Sequence, residues 1–302
     1  MTGWHLSIEF QGLSEPELFI RFAERVPDWC VVVGLIGSGQ EIHIGEEAGI
    51  GQWKTAIDKA GSPDIWDIYI PDNEEIKTHF GIRSNICCNR VLELSTTIRF
   101  HLASRLYDFV SLLLDGQSKS AKTISQELER DGYNLRISHD LDKAKQYLFD
   151  RYSRNLDARF GIVTSARDKD LNRHGIPKGF KNPGEVGPGK YGKWYSEPFG
   201  IKGSCTGLDA VVTEFGAQGL ELDACLLAWG TDFIRENGTW TNKSASGYRE
   251  ANRVVDAKAL RMNSYRVLLT RGRDGCVIFV PNIPDKMQET YAYLIDCGFT
   301  EL

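Results

Sequence analysis

The sequence predicts an α/β fold with a largely parallel sheet. Short, strongly apolar runs alternate with longer segments of helical period along the chain. Several of these runs are apolar at every position, as strands covered on both faces tend to be. At 302 residues the chain has room for one large domain or two lobes with separate cores.

In chain order, the expected strands are 29–37 (WCVVVGLIG), 91–94 (VLEL), 158–165 (ARFGIVTS), 208–213 (LDAVVT), 224–229 (ACLLAW) and 275–281 (GCVIFVP). Helices are expected over 14–25, 51–60, 101–114, 121–131, 140–153, 255–269 and 284–296. The helix at 101–114 is justified by Leu102, Leu106, Phe109, Val110 and Leu113, a stripe of 3.6-residue period. A fresh series of elements begins near 80–90, which places a first lobe at 1–85 and a second at 86–302. Residues 174–203 are crowded with Gly and Pro and have no hydrophobic period. A loop that long inside a compact domain is often functional.

The composition, 41% hydrophobic and 25% charged, is that of a soluble globular protein. The longest apolar runs fall far short of the roughly 20 residues of a membrane span. Seven cysteines without a C-x-x-C pair argue against a disulfide framework or zinc ribbon, so reduced thiols and a cytoplasmic location are expected. His5, His43, His79, His101, His139 and His174 show no ligand spacing, and no metal site is expected. The net charge of −5 supplies no overall cationic field, so nucleic-acid binding must rest on particular residues.

One stretch tests for nucleotide chemistry directly. NPGEVGPGKYGKWY (182–195) fits G-x-x-x-x-G-K twice, through Gly184, Gly189 and Lys190 and through Gly187, Gly192 and Lys193. A phosphate loop needs Ser or Thr next, to hold magnesium, and a strand before and a helix after. Tyr191 and Trp194 occupy the hydroxyl positions, Asn-Pro stands where the strand should end, and KWYSEPFG follows where a helix should begin, with no helix expected there. The two overlapping matches are what a glycine-rich composition produces.

Three other stretches carry chemistry. VVVGLIGSGQEIHIGE (31–46) is an apolar run ending in a Gly/Ser turn and Gln40, the kind of strand end where ligands of α/β sheets sit. VVTEFGAQGLELDACLLAWG (211–230) sets Thr213, Gln218, Glu221 and Asp223 between buried flanks, where a carboxylate is costly unless paired. NSYRVLLTRGRDGCVIFVP (263–281) places Arg266, Arg271 and Arg273 around a helix end, where a guanidinium can grip a phosphate bidentately. Taken singly, each also fits a plain structural role: a strand-end turn, loop hydrogen bonding, or cations at a helix C-terminus.

In order and spacing these stretches resemble the later motifs of superfamily-one helicases, and more specifically the Schlafen group 3-like DNA/RNA helicase domain family. IGSGQEIHIGE resembles motif III, LSTTIRFHLAS (94–104) motif IV, TEFGAQGLELD motif V and YRVLLTRGR motif VI. The resemblance spans roughly 30 to 281. It implies a RecA-like second lobe, preceded by the end of a first RecA-like lobe, with ATP and Mg²⁺ as cofactors. It further implies that Gln40 senses the terminal phosphate, that Arg99 and Arg271 reach it from the second lobe with Arg271 as arginine finger, and that Glu221 lies at the ribose. Gly219 would permit close backbone approach, Arg273 would assist at the nucleotide with Arg266 less central, and Thr213 would face the nucleic-acid backbone. Ser38 departs from the acidic residue of many such motifs III, so no metal contact is carried over there.

Such motors also need a phosphate loop and an Asp-Glu pair at a strand end. No G-K-[ST] and no strand ending in Asp-Glu occurs here. The expectation is therefore the C-terminal half of an ATP-dependent helicase or translocase, inactive alone and completed by an upstream or separate lobe carrying the Walker motifs. An inactive RecA-like module that binds nucleic acid or protein is the alternative. A magnesium nuclease built on Glu214, Glu221, Asp223 and Asp232 is a weaker third reading. For single-stranded DNA or RNA, the Gly/Pro-rich loop offers Lys178, Lys181, Lys190 and Lys193 beside Phe180, Tyr191, Trp194 and Tyr195, cations for the backbone and rings for stacking; the same residues equally fit a solvated loop whose Trp194 and Tyr195 dock on the core.

Overall fold

The computed structural model describes residues 13–36, 41–42, 49–81, 85–93, 105–177, 190–247 and 256–302. The chain divides into two compact units, Met1–Thr97 and Ile98–Leu302.

The first unit opens with α1 (Glu15–Ala23). Ser14 caps it reciprocally: its backbone N–H donates to Glu17 Oε2 (2.8 Å) while its hydroxyl accepts from the Glu17 N–H (3.4 Å). The unit continues through α2 (Gly51–Asp58), β1 (Ile68–Ile70), α3 (Glu74–Phe80) and β2 (Ile86–Cys88). β1 and β2 pair in parallel. Ile20, Ala56, Ile57, Ile68, Ile70 and Phe80 form its small core.

Two expected strands do not form here. Residues 29–36 carry no strand, and Trp29, Val31, Val33 and Leu35 are 74–82% exposed. The other side of this segment touches the helices: Cys30 Sγ donates to the Ala23 carbonyl, and a Cβ on Gly34 would stand 3.1 Å from the Trp53 ring. The β-branched run has strand propensity, but a strand exists only by pairing. At 91–94, Val91 and Leu92 lie in a 3-10 turn instead, begun by the Asn89 side chain accepting from the Val91 N–H (3.0 Å).

The second unit runs α4 (Leu106–Leu114), α5 (Ser118–Arg130), β3 (Asn134–Ser138), α6 (Leu141–Tyr152), β4 (Phe160–Thr164), α7 (Lys190–Ser196), β5 (Val211–Thr213), α8 (Glu214–Ala217), β6 (Leu222–Ala228), β7 (Ile234–Glu236), β8 (Thr239–Thr241), α9 (Ala257–Leu269), β9 (Gly272–Phe279), α10 (Gln288–Asp296) and β10 (Thr300–Glu301). Six strands make one sheet in the order β10-β3-β9-β6-β4-β5, every neighbouring pair parallel. The expected apolar runs become β4, β5, β6 and β9. β3 comes from a less apolar stretch: Leu135 and Ile137 are buried, while Arg136 between them pairs with Glu129 at 2.6 Å.

The sheet is covered on both faces. Cys225, Leu227, Cys276, Ile278, Leu135 and Val163 share a core with α4, α5, α9 and α10. Leu226, Ala228, Val277, Phe279 and Ile162 pack with α6. Because all strands run one way, every turn after a strand lies on the carboxyl edge and every turn before one lies on the amino edge. β6 alone separates those edges by roughly 20 Å at ~3.3 Å per residue.

Candidate functional site: two edges of one sheet

The residues singled out in the sequence fall into two groups, one on each edge. At the amino edge, the turn between α8 and β6 meets the turn between α9 and β9. Leu222 and Gly272 are register partners, and the Leu222 N–H donates to the Arg271 carbonyl at 2.9 Å. Gly219 turns the chain with φ +89°, and nothing stands within 4 Å of where its Cβ would be. A side-chain-bearing residue is strained at that φ, and the space above the turn is open to close approach. Glu221 follows, half-buried.

Arg271 is 2% exposed. Its Nε donates to the Val267 carbonyl (2.7 Å), its Nη1 to the carbonyls of Ala217 and Leu220 (both 3.2 Å), and its Nη2 to Thr270 Oγ1 (3.2 Å). In this state the guanidinium holds the turn between α8 and β6. Arg273 ion-pairs with Asp223, and that hydrogen bond raises its already high pKa. Asp223 also accepts from the Arg159 N–H at 2.6 Å. Burial, and then the neighbouring Asp223, push the Asp274 carboxyl above its ordinary range. Arg266 points elsewhere, its Nη1 donating to Ser111 Oγ at 2.7 Å.

At the carboxyl edge, Thr213 ends β5 and is buried. Beside it lies a network that sequence reasoning missed, centred on fully buried Arg261 of α9. Its Nη2 donates to Glu214 Oε1 (2.9 Å) and Ser264 Oγ (2.7 Å), and its Nη1 to Ser165 Oγ (2.7 Å) and Asp232 Oδ2 (3.3 Å). Ser165 donates to Asp232, and Tyr265 donates to Asp232 Oδ1 at 2.8 Å. Glu214 Oε2 accepts from the Ala166 N–H (2.7 Å), so the turn after β4 is held from α8. Burial raises the Asp232 pKa against the opposing pull of Arg261 and Ser165. Burial, reinforced by Asp232, raises that of Tyr265. A signal was present in the sequence: Arg261 shares a helical face with Leu260, Ser264, Tyr265 and Leu268, which marks it as core-facing.

The four carboxylates of the nuclease reading are divided, Glu214 and Asp232 on one edge, Glu221 and Asp223 on the other. Among the described residues no group of three or more His, Cys, Asp or Glu is arranged to hold a metal ion.

The Gly/Pro-rich segment contributes α7, a helix where the sequence predicts none; the docking of Trp194 fixes it. Trp194 is 1% exposed and its Nε1 donates to the Ala210 carbonyl at 3.3 Å. A Cβ on Gly161 would stand 2.7 Å from its ring. This corrects the expectation of base stacking at Trp194, because the indole is sunk into the sheet and offers no face. Tyr191 lies on Gly216 of α8, where a Cβ would come within 2.2 Å of Cε1. Lys190 opens α7 and Lys193 is exposed on it. Gln40, Arg99, Lys178, Phe180 and Lys181 lie outside the described residues.

A parallel α/β lobe with a glycine turn and arginines on one edge, and a polar strand-end cluster on the other, is the class this architecture defines. The family model for the Schlafen group 3, DNA/RNA helicase domain matches residues 4–282. The chain belongs to that family. No curated protein sequence matches it significantly. Among the described residues no helix is long and apolar enough to cross a membrane.

Proposed function

We propose that this chain acts as the C-terminal half of an ATP-dependent DNA or RNA helicase or translocase, with a RecA-like second lobe. Its phosphate loop and Asp-Glu pair would come from polypeptide outside these 302 residues, in the same chain or another. The observation that carries this reading is the division of the motif residues. Gly219, Glu221 and Arg271 stand together on the amino edge, and Thr213 on the carboxyl edge, so nucleotide and nucleic acid would engage opposite ends of one rigid sheet. The open space above Gly219 fits a nucleotide drawn close to the backbone. There Glu221 would meet the ribose, and Arg271 and Arg273 the phosphates, with Gln40 and Arg99 completing the set.

When bound, ATP with Mg²⁺ supplies phosphoryl transfer. The chain's own part is to orient and to stabilise charge. For that, Arg271 must exchange the Ala217 and Leu220 carbonyls for phosphate oxygens, so nucleotide engagement would release the motif V turn. Thr213 would contact the nucleic-acid backbone, and Lys190 and Lys193 of α7, docked beside motif V through Tyr191, would add cations to single-strand binding.

The test is ATPase activity of this chain combined with a phosphate-loop lobe, with and without single-stranded nucleic acid. Turnover should appear only in the combination and fall about 10³–10⁵-fold, or 4–7 kcal/mol, in Arg271→Ala. Comparable turnover by the chain alone would overturn the reading. The internally engaged Arg271 also favours a second reading, a RecA-like module that binds nucleic acid or a protein without hydrolysis. Single-strand binding by a combination that never hydrolyses ATP would select it.

A further inference from the structure

The short helix α8 is held from both ends by one neighbouring element. Its first residue, Glu214, immediately follows Thr213 and is gripped by Arg261. The carbonyl of its last residue, Ala217, and that of Leu220 in the turn beyond, are gripped by Arg271. Both arginines belong to α9 and its continuation, roughly 15 Å apart at ~1.5 Å per residue. The two grips differ in kind. Arg261 is fully buried against two buried carboxylates, Glu214 and Asp232, and removing one partner of such a set leaves an uncompensated charge in the core. The Arg271 bonds to Ala217, Leu220 and Val267 are to neutral carbonyls, which a phosphate oxygen outcompetes as a charged acceptor.

We propose that Arg261 is a positioning residue that couples the two edges: it fixes the Thr213–Glu214 corner to α9, so that displacement at the carboxyl edge is carried along α9 to the Arg271 turn. This deepens the proposed function and rests on it. Arg261 touches neither nucleotide nor nucleic acid. It acts through Glu214, and its planar fork spans Glu214, Ser264, Ser165 and Asp232 at once, which a lysine ammonium cannot do.

The experiment is amide hydrogen exchange on the full chain, with and without single-stranded deoxythymidine or uridine oligomers. Oligomer binding to the wild type should slow exchange at 213–216 and, about fivefold or more, at 217–222. Arg261→Lys retains a cation and should retain the response at 213–216 while losing that at 217–222. A purely structural role would instead raise exchange in both regions without oligomer and leave the response linked. Persistence of the 217–222 response in Arg261→Lys overturns the coupling and leaves the functional reading standing. Failure of both oligomers to alter wild-type exchange overturns the functional reading and the coupling with it. Should Arg261→Lys not fold, Glu214→Gln carries the same comparison: it keeps the side chain's shape and removes the ionic tie, while its amide N–H₂ is set against one of the two donors, Arg261 and the Ala166 N–H, that the carboxylate now accepts from.

Discussion

Asp232 is the residue on which the carboxyl-edge network converges, and all its partners are donors. Tyr265 donates to Oδ1, and Ser165 and Arg261 donate to Oδ2. Replacing Asp232 by Asn turns an amide N–H₂ against a donor and leaves the buried guanidinium half compensated, so Asp232→Asn should cost about 2–4 kcal/mol. Tyr265→Phe removes one hydrogen bond and should cost about 1–2 kcal/mol; urea unfolding monitored on the second unit measures both. The pH dependence has a definite sign. Burial raises the Asp232 pKa above its ordinary 3.8, so the folded state holds the proton to higher pH than the unfolded chain does. The contribution of this group to stability therefore falls as pH rises from 3.8 through the raised value. Asp232→Asn should abolish that slope, and a slope unchanged in the variant would show that another group sets it.

At the scale of elements, α7 is attached through two glycines on other elements. Gly216 admits the Tyr191 ring and Gly161 the Trp194 ring, with Cβ clearances of 2.2 and 2.7 Å. Gly216→Ala should destabilise by about 1–3 kcal/mol through overpacking. Tyr191→Ala, which empties that contact, should absorb most of the penalty, so the double mutant should be strongly non-additive in thermal unfolding. Strict additivity would mean that α7 does not rest on α8. In the first unit, Lys59 and the Ser14 backbone hold the Glu17 carboxyl below its ordinary 4.5. The α1 cap is then fully formed above that value and lost as pH falls through the lowered pKa. Amide protection factors in α1, with the intrinsic pH dependence of exchange divided out, should fall as pH drops through that window in the wild type and stay constant there in Glu17→Gln.

These elements also show what the sequence makes legible. β4, β5, β6 and β9 were readable because a strand buried on both faces is apolar throughout. β3 was not, because Arg136 interrupts it, and neither was the β7–β8 hairpin, whose Asn237-Gly238 turn with φ +53° and +78° is a readable signal in itself. The run at 29–36 reads as a strand but forms none for the opposite reason, since propensity is local and pairing is not. Motif positions at Gly219, Glu221 and Arg271 could be placed in order, yet their gathering on one edge depends on β6 pairing with β9. Trp194 beside lysines suits stacking on a base equally well as docking on a core, and only the glycine opposite, far away in sequence, decides.

On the scale of the whole molecule, the described residues of the two units build different structures. The second has a six-stranded sheet covered on both faces. Among its described residues the first has a two-stranded sheet, a small core, and a run at 29–36 whose alternate residues, Trp29, Val31, Val33 and Leu35, stand largely exposed. Exposed apolar area of that kind, on a β-prone segment, is a template for association. In a complete parallel α/β lobe such a run would be sheltered between strands and beneath helices, which is the role proposed for the lobe bearing the phosphate loop. The chain by itself should therefore self-associate with rising concentration in sedimentation velocity. Val31→Lys with Val33→Lys should return it to monomer, without lowering the unfolding midpoint of the second unit, because those side chains belong to no core. On the proposed reading the same pair should also prevent productive combination with a phosphate-loop lobe, since charge would then enter the contact between them. A wild-type chain that stays monomeric at high concentration, or a double variant that still combines and hydrolyses ATP, would show that 29–36 is not the surface on which the proposed phosphate-loop lobe packs.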